Sequence, residues 1–273
     1  MFNWILKYAE RPFKPGTHIK ERYLIKKVLG MGSYGISYLA EDKKGQKPAV
    51  VKQLRSYKAQ SKKGLHSFQK EAEILSTLHE TAFPAYFEDF QWRNKNFIAM
   101  EYIDGETFED LIFIKKDSYD EKESFHILLK VLMAVKNLHE KEIVHRDLRI
   151  PNILLKNQSI YIIDFGLARR MSKENEESKS ESKYTKEKKL FRECSYRSDF
   201  FALGHFVLFL LYSSFEPSTK KNSCWEEELE LSAVAKEIIK RMLQLQKPFD
   251  SIDELIEEVT KCTDGREQNV IFQ

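Results

Sequence analysis

The tract His145-Arg146-Asp147-Leu148-Arg149-Ile150-Pro151-Asn152 and, shortly after it, Tyr161-Ile162-Ile163-Asp164-Phe165-Gly166 decide how this chain is read. The first is a polar loop containing Pro151, with Val144 on one side and the apolar run Ile153-Leu154-Leu155 on the other to anchor it. Such a loop presents Asp147 as a carboxylate base and Asn152 as an amide oxygen for a metal. The second is an apolar strand that ends in a carboxylate, Asp164, with Gly166 permitting the turn that follows. Two carboxylates and an amide oxygen, with phosphates as the remaining ligands, suit Mg²⁺ rather than a soft metal. Either tract alone reads equally as a capped turn; the two together point to phosphate chemistry.

Upstream, Ser118 and Glu121 have the form of a capping box. They open a helix whose apolar residues Phe125, Leu128, Leu129, Leu132, Val135 and Leu138 share one face. The first hundred residues have a different pattern. Short strands over residues 23–29, 37–41 and 49–52 are separated by a glycine-rich turn and by a turn around residues 43–46. Phe68, Ala72, Leu75 and Leu78 predict a helix from Ser67 to Leu78, and two further strands fall near residues 85–90 and 97–102. The expectation is a five-stranded antiparallel sheet with one helix.

Downstream, Phe200 to Leu211 is apolar almost all round and belongs in a core, with further helices over residues 231–243 and 252–259. Asp104-Gly105 is the natural hinge between the β-rich and α-rich parts. Residues 169–189 are dense in Lys, Glu and Ser, with almost nothing apolar to bury, and read as a mobile surface loop.

Two sites in the β-rich part carry chemistry of their own. Gly30-Met31-Gly32-Ser33-Tyr34-Gly35 is followed by a strand, not a helix, so it reads as a hairpin folded over phosphates or as a merely structural glycine turn. Lys52 ends an apolar strand, where a cation is costly unless paired, and Glu71 on the next helix is a suitable partner; a solvated lysine at a strand end is the competing reading.

Composition narrows the partners. A net charge of +3, with both signs spread along the chain, gives no basic face for nucleic acid. Three cysteines (Cys194, Cys224, Cys262) without paired spacing argue against a disulfide framework or zinc site and for a reducing, cytoplasmic setting. No spanning segment or signal peptide is visible. Phe2, Trp4, Ile5 and Tyr8 either form a surface-seeking helix or pack on the protein body, the second being the expectation, without membrane association.

In order and spacing, these motifs resemble the eukaryotic-type serine/threonine protein kinase family, and in architecture its small bacterial members that consist of a catalytic domain alone. The likeness implies an α+β, bilobal fold: an N-terminal extension (1–22) packed on or near the N-lobe (23–103), a mostly helical C-lobe (104–262) and a tail (263–273). It implies transfer of the γ-phosphoryl of Mg-ATP to a protein hydroxyl, with autophosphorylation, and with Mn²⁺ as a substitute for Mg²⁺. By resemblance, Lys52 holds phosphates and pairs with Glu71, Asp147 orients or deprotonates the acceptor hydroxyl, and Asn152 and Asp164 bind the metal. ATP would lie against Leu29, Gly30, Gly32, Ser33, Gly35, Ser37, Val50, Met100, Glu101, Ile103 and Leu154. Met100 would be the gatekeeper; His145, Phe165, Leu75 and Tyr86 would form a spine, and Asp199 would brace the catalytic loop. Kinases of this size work as monomers or weak dimers.

The departures concern the acceptor side. Arg149 stands where such kinases usually carry Lys, replacing a compact ammonium by a planar fork and altering contact with the γ-phosphate. Ser37 stands in place of a valine. No Ala-Pro-Glu tract follows the loop; a gapless count puts Thr185-Lys186-Glu187 there, with Lys247 as the partner cation. The segment between Leu211 and Leu231 is short for a docking helix. Arg146 suits control by a loop phosphate on Ser172, Ser178, Ser180, Ser182 or Thr185. A small-molecule kinase would explain the unusual acceptor region, though the glycine loop and the His-Arg-Asp form speak for a protein kinase. A binding-only pseudokinase would have lost Lys52, Asp147, Asn152 or Asp164, and all four are present.

Overall fold

The computed structural model describes residues 10–171, 185–215 and 224–263. The expectations for residues 1–8, for Ser172, Ser178, Ser180 and Ser182, and for the tail beyond residue 263 lie outside the described residues. The chain divides into two compact units, one of Met1–Asp104 with Asp164–Leu167, the other of Gly105–Ile163 with Ala168–Gln273.

The first unit is built on a six-stranded sheet. Its strands are β1 (His18–Ile19), β2 (Tyr23–Met31), β3 (Gly35–Asp42), β4 (Lys47–Leu54), β5 (Tyr86–Trp92) and β6 (Lys95–Glu101), all pairing antiparallel. They lie in the order β1-β2-β3-β4-β6-β5. The strand beyond the five expected is β1, too short to leave a periodic signal. Arg93 and Asn94 both take positive φ between β5 and β6, the geometry of a two-residue hairpin whose twist matches its strands.

Alternation then sorts the sheet into two faces. Ile25, Ile36, Tyr38, Ala40, Ala49, Val51, Phe97 and Ala99 form a dry core, against which Phe13 and Trp92 pack. The opposite face carries Ser37, Lys52 and Ile98 in register across β3, β4 and β6, with Val50 opposite Met100 beside them.

Helix α1 (Lys62–Ser76) starts five residues before the expected Ser67, because Ser61 caps it by accepting from the Gly64 amide. It buries Phe68, Glu71, Ala72, Ile74 and Leu75.

The second unit is mostly helical. Helix α2 (Glu121–Glu140) begins at a capping box formed by Asp120 and Glu123, two residues beyond the expected Ser118 and Glu121. Phe125, Leu128, Leu132, Val135 and Leu138 are fully buried along it, each contributing about 1.5–3 kcal/mol. Five short strands flank this helix in the chain: β7 (Glu106–Thr107) before it, and after it β8 (Ile143–Val144), β9 (Ile153–Lys156), β10 (Ser159–Ile162) and β11 (Arg169–Arg170). The hairpin of β9 and β10 is joined by β7 on its β9 side, and β11 pairs with β8.

Helices α3 (Lys186–Arg192), α4 (Tyr196–Tyr212), α5 (Ala233–Met242) and α6 (Ile252–Thr263) follow in the same unit, with a single helical turn at Trp225–Glu228 between α4 and α5. Apolar almost all round, α4 sits in the core, burying Phe200, Leu203, Phe206, Val207 and Leu210. At Gly204 a Cβ would lie 2.9 Å from Leu243 Cδ2 and 3.2 Å from Met242 Cβ, so close packing here needs glycine. Among the described residues no helix is long and apolar enough to cross a membrane.

Candidate active site

In the first unit the chemistry gathers on Lys52. Strand alternation turns its side chain away from the dry core, and only 9% of the residue is exposed. The ammonium lies 2.5 Å from Glu71 Oε1 and 2.8 Å from Asp164 Oδ1. Burial works against this charge, but the carboxylates of Asp164 and Glu71 outweigh it and hold the pKa of Lys52 above its ordinary value. Lys52 is thus a fixed cation between two carboxylates, not a solvated strand end.

Asp164 takes φ +63°, a left-handed conformation that a short polar side chain tolerates. Gly166 follows under tight constraint: a Cβ there would stand 3.2 Å from Asp164 Oδ1, 3.3 Å from Lys52 Nζ and 3.4 Å from Glu71 Oε2. Phe165 is buried and meets Phe83 edge to face at 5.7 Å. The expected spine partner Tyr86 is instead half-buried, its hydroxyl bonded to Asp89 on the same strand. Leu75 is buried on α1 as expected.

The expected nucleotide-facing residues of this unit are placed as follows. Gly30 pairs with Ser37, Ser37 with Lys52, Val50 with Met100, and Ala49 with Glu101. Gly35 needs to be glycine because a Cβ would lie 2.9 Å from the Gln53 carbonyl. Gly32 donates its amide to the Gly35 carbonyl at 2.9 Å, closing the loop that also holds Ser33. Leu29 is exposed, and Met100 and Ile103 are buried.

The second unit holds the His145–Asn152 loop. Asp199, fully buried on α4, accepts from the His145 amide at 2.9 Å and the Arg146 amide at 2.8 Å, and contacts His139 Nε2 at 3.0 Å. Arg146 takes φ +64°, a costly conformation for a residue with a long side chain. The two amide bonds to Asp199 hold it there, and Asp147 follows directly. Arg146 and Arg192 clasp each other: Arg146 Nη2 donates to the Arg192 carbonyl, and Arg192 Nη1 donates to the Arg146 carbonyl at 3.0 Å.

Three side chains surround the Asp147 carboxylate. Asn152 Nδ2 donates to Asp147 Oδ2 and to its carbonyl, both at 3.0 Å. Arg149 lays its fork across both oxygens, with Nε 2.9 Å from Oδ1 and Nη2 3.2 Å from Oδ2, and Arg192 Nη2 stands 3.6 Å from Oδ1. Because both amide donations of Asn152 go to Asp147, the amide oxygen is what it has to offer a cation. Leu154 is buried on β9, and the Ile163 amide donates to the Asn152 carbonyl at 3.0 Å.

Among the described residues no group of three or more His, Cys, Asp or Glu could hold a metal by itself. A carboxylate such as that of Asp164 and an amide oxygen such as that of Asn152 are each, beside phosphate oxygens, donors of a kind that suits Mg²⁺.

Thr185 caps α3, accepting from the Lys188 amide. The expected ion pair of Glu187 with Lys247 is not made among the described residues: Lys247 reaches Asp250 at 3.5 Å, being three residues away on an exposed turn. Sequence reasoning missed Arg192 altogether. Its clasp with Arg146 spans 46 residues of chain and leaves no local pattern. The only signal was a cation placed shortly before Asp199.

The sequence pattern of the protein kinase domain family matches residues 23–265. The chain belongs to that family. It is 34% identical over 253 residues to the probable serine/threonine-protein kinase YbdM of Bacillus subtilis, covering 93% of this chain and 94% of that protein. It is 32% identical over 160 residues to the human serine/threonine-protein kinase Nek11, covering 57% of this chain and 25% of that protein. In fold it resembles the crystal structure of the Mycobacterium tuberculosis PknI kinase domain, with a TM-score of 0.68 and 20% identity, covering 92% of this chain and 99% of that one.

Proposed function

We propose that the protein is a serine/threonine protein kinase that transfers the γ-phosphoryl of Mg-ATP to a protein hydroxyl, its own chain included. The observation that carries this reading is the Asp147 carboxylate, steadied by Asn152 in a loop whose strained Arg146 is fixed by Asp199. A carboxylate so held can accept the proton of an acceptor hydroxyl as that oxygen bonds to phosphorus and the bond to ADP breaks.

Lys52, kept protonated by Asp164 and Glu71, is suited to neutralise α- and β-phosphate charge in a partly dry site. Mg²⁺, with Mn²⁺ as a substitute, would be held by Asp164 and Asn152 and would supply positive charge against the phosphates. The face of Ser37, Val50 and Met100, with Gly30, Gly32, Ser33, Gly35, Leu29, Glu101, Ile103 and Leu154, would receive the nucleotide. Ser37 gives that face less apolar cover than a branched side chain. Arg149 keeps a cation beside Asp147, with 56% of its side chain exposed and room to turn toward the γ-phosphate. A reducing, cytoplasmic setting fits three cysteines held outside any disulfide. A monomer or weak dimer is the working assembly.

The test is labelling with radioactive Mg-ATP, with and without a mixed protein acceptor. Wild type labels itself or the acceptor, and Asp147→Asn loses about 10²–10⁴-fold. Equal labelling by both proteins would refute the role given to Asp147.

A further inference from the structure

The glycine-rich loop is held by its carbonyls. Arg55 Nε donates to the Gly32 carbonyl at 3.2 Å, the Tyr57 hydroxyl donates to the Ser33 carbonyl, and the Arg55 amide donates to the Tyr34 carbonyl at 3.0 Å. Lys58 adds its ammonium, 4.2 Å from the centre of the Tyr34 ring. All of these contacts come from residues 55–58, the stretch that follows β4 and makes one helical turn over Ser56–Ala59. In a planar trans peptide the carbonyl and the next amide point in opposite directions. Drawing three consecutive carbonyls toward residues 55–57 therefore turns the amides of Ser33, Tyr34 and Gly35 to the other side of the loop. Successive amides grouped in this way attract phosphate oxygens.

Residues 55–58 are in turn held by Glu10. Its carboxylate accepts from Gln53 Nε2 at 2.8 Å, from the Ser56 hydroxyl at 2.7 Å and from the Ser56 amide at 2.9 Å. Its carbonyl accepts from Arg55 Nη1 at 3.4 Å, so one buried guanidinium joins residue 10 to Gly32. Lys95 closes the cluster, with Nζ 2.6 Å from Glu10 Oε1 and 2.9 Å from Ser56 Oγ. Burial works against the charge on Glu10, but the bonds from Lys95 and Ser56 outweigh it and hold its pKa below the ordinary value. Phe13, three residues on, packs against Tyr38, Trp92 and Phe97 and anchors the chain that carries Glu10.

Resting on the kinase reading, we propose that Glu10 is a positioning residue for the nucleotide phosphates: through Arg55, Ser56 and Tyr57 it sets the amides of the glycine-rich loop before ATP arrives. With this tether cut, the nucleotide has to order the loop itself, and its affinity falls by that amount. The loss belongs to the phosphates and not to adenosine, because the tether acts on the tip of the loop.

The experiment uses the full chain and measures, by titration calorimetry, its affinity for a non-hydrolysable ATP analogue with Mg²⁺ and for adenosine. Glu10→Ala should weaken the analogue about tenfold, the scale of one loop residue set free, and leave adenosine within about twofold. Glu10→Gln keeps an acceptor oxygen and should recover part of the loss. Tyr57→Phe removes one hydroxyl and is the milder change should Glu10→Ala fail to fold; alone it should weaken the analogue about threefold. Added to Glu10→Ala it should cost less than in wild type, since the stretch it belongs to is already loose, and full additivity overturns the proposal. So does an analogue affinity unchanged in both single variants, or an equal loss for analogue and adenosine, which marks a merely structural cluster. These results leave the kinase reading standing, because Asp147-dependent labelling tests it separately. A wild type that binds neither ligand and labels no protein removes both.

Discussion

Replacing Asp199 by Asn tests whether the catalytic loop is held by charge or only by shape. The side chain is fully buried and nearly isosteric with Asn, so packing is unchanged and only hydrogen bonding differs. In the native protein Oδ1 accepts from the Arg146 amide, while Oδ2 accepts from the His145 amide and faces His139 Nε2. An Asn amide must turn its NH₂ toward one side. The cheaper choice faces Arg146, setting donor against donor and losing one charge-assisted bond of about 1.5–3 kcal/mol. Leaving that amide buried without its acceptor costs a further ~1–3 kcal/mol, for a total near 3–5 kcal/mol. At about 2–4 °C per kcal/mol for a chain of this size, Tm should fall by roughly 10 °C.

The amide that loses its acceptor is that of Arg146, whose φ of +64° is the strained torsion of the loop. The loop should relax there first, displacing Asp147. Turnover of the folded variant should fall by about 10²-fold, the scale of a 1 Å misplacement. Scanning calorimetry and labelling per folded molecule, at a temperature well below the variant's Tm, give the two numbers. A Tm within about 1 °C of wild type, with turnover within about twofold, would show that Asp199 does not hold the loop in the way described.

Two further outcomes follow from single contacts. Lys52→Met removes the ammonium between two carboxylates and should destabilise the protein by about 3–5 kcal/mol in urea unfolding. Adding Glu71→Gln should restore at least about 1 kcal/mol of that while activity stays lost, and a double variant no more stable than Lys52→Met would refute the coupling. His205, under Phe191 of α3, is held below its ordinary pKa of 6.5 by burial, which outweighs the opposing pull of Glu187. The unfolded chain therefore takes up protons before the folded one, and the stability conferred by the neutral ring, complete above pH 6.5, is lost as pH falls through the lowered value. Tm of His205→Phe should fall less steeply than wild type on acidification, and parallel curves would remove His205 as the cause.

Much of this was legible in the sequence, for reasons that differ by residue. Lys52 could be read because a cation in an apolar strand demands a partner, and the helical stripe of α1 offered Glu71 as one. Asp147, Asn152 and Asp164 could be read because each stands at the edge of an apolar anchor, where a polar side chain has to face something. Local signals that slide along the chain were less exact. Ser118 and Asp120 both offer a cap, and the structure uses Asp120 because Glu123 can return the bond.

Contacts without local periodicity could not be read at all. Glu10 is one: it accepts from Gln53, Ser56 and Lys95 and ties the start of the described chain to the sheet. Its sequence neighbours, Arg11 and Pro12, mark no element. Arg192 is the other, and the more consequential. Counting back from Asp199 by analogy fixed attention on Thr185-Lys186-Glu187 and on Lys247, and so on an ion pair that the fold does not make among the described residues. The charge that matters on α3 is at its other end, where the carbonyls of Arg146 and Arg192 are each bound by the other's guanidinium. A clasp of backbone to side chain needs only an arginine on each side and the right distance, and distance is what a sequence does not print. Patterns of burial point to Lys52 and Glu71, which meet in the structure. The surroundings of Asp147 depend on one long-range clasp, and there sequence and structure part.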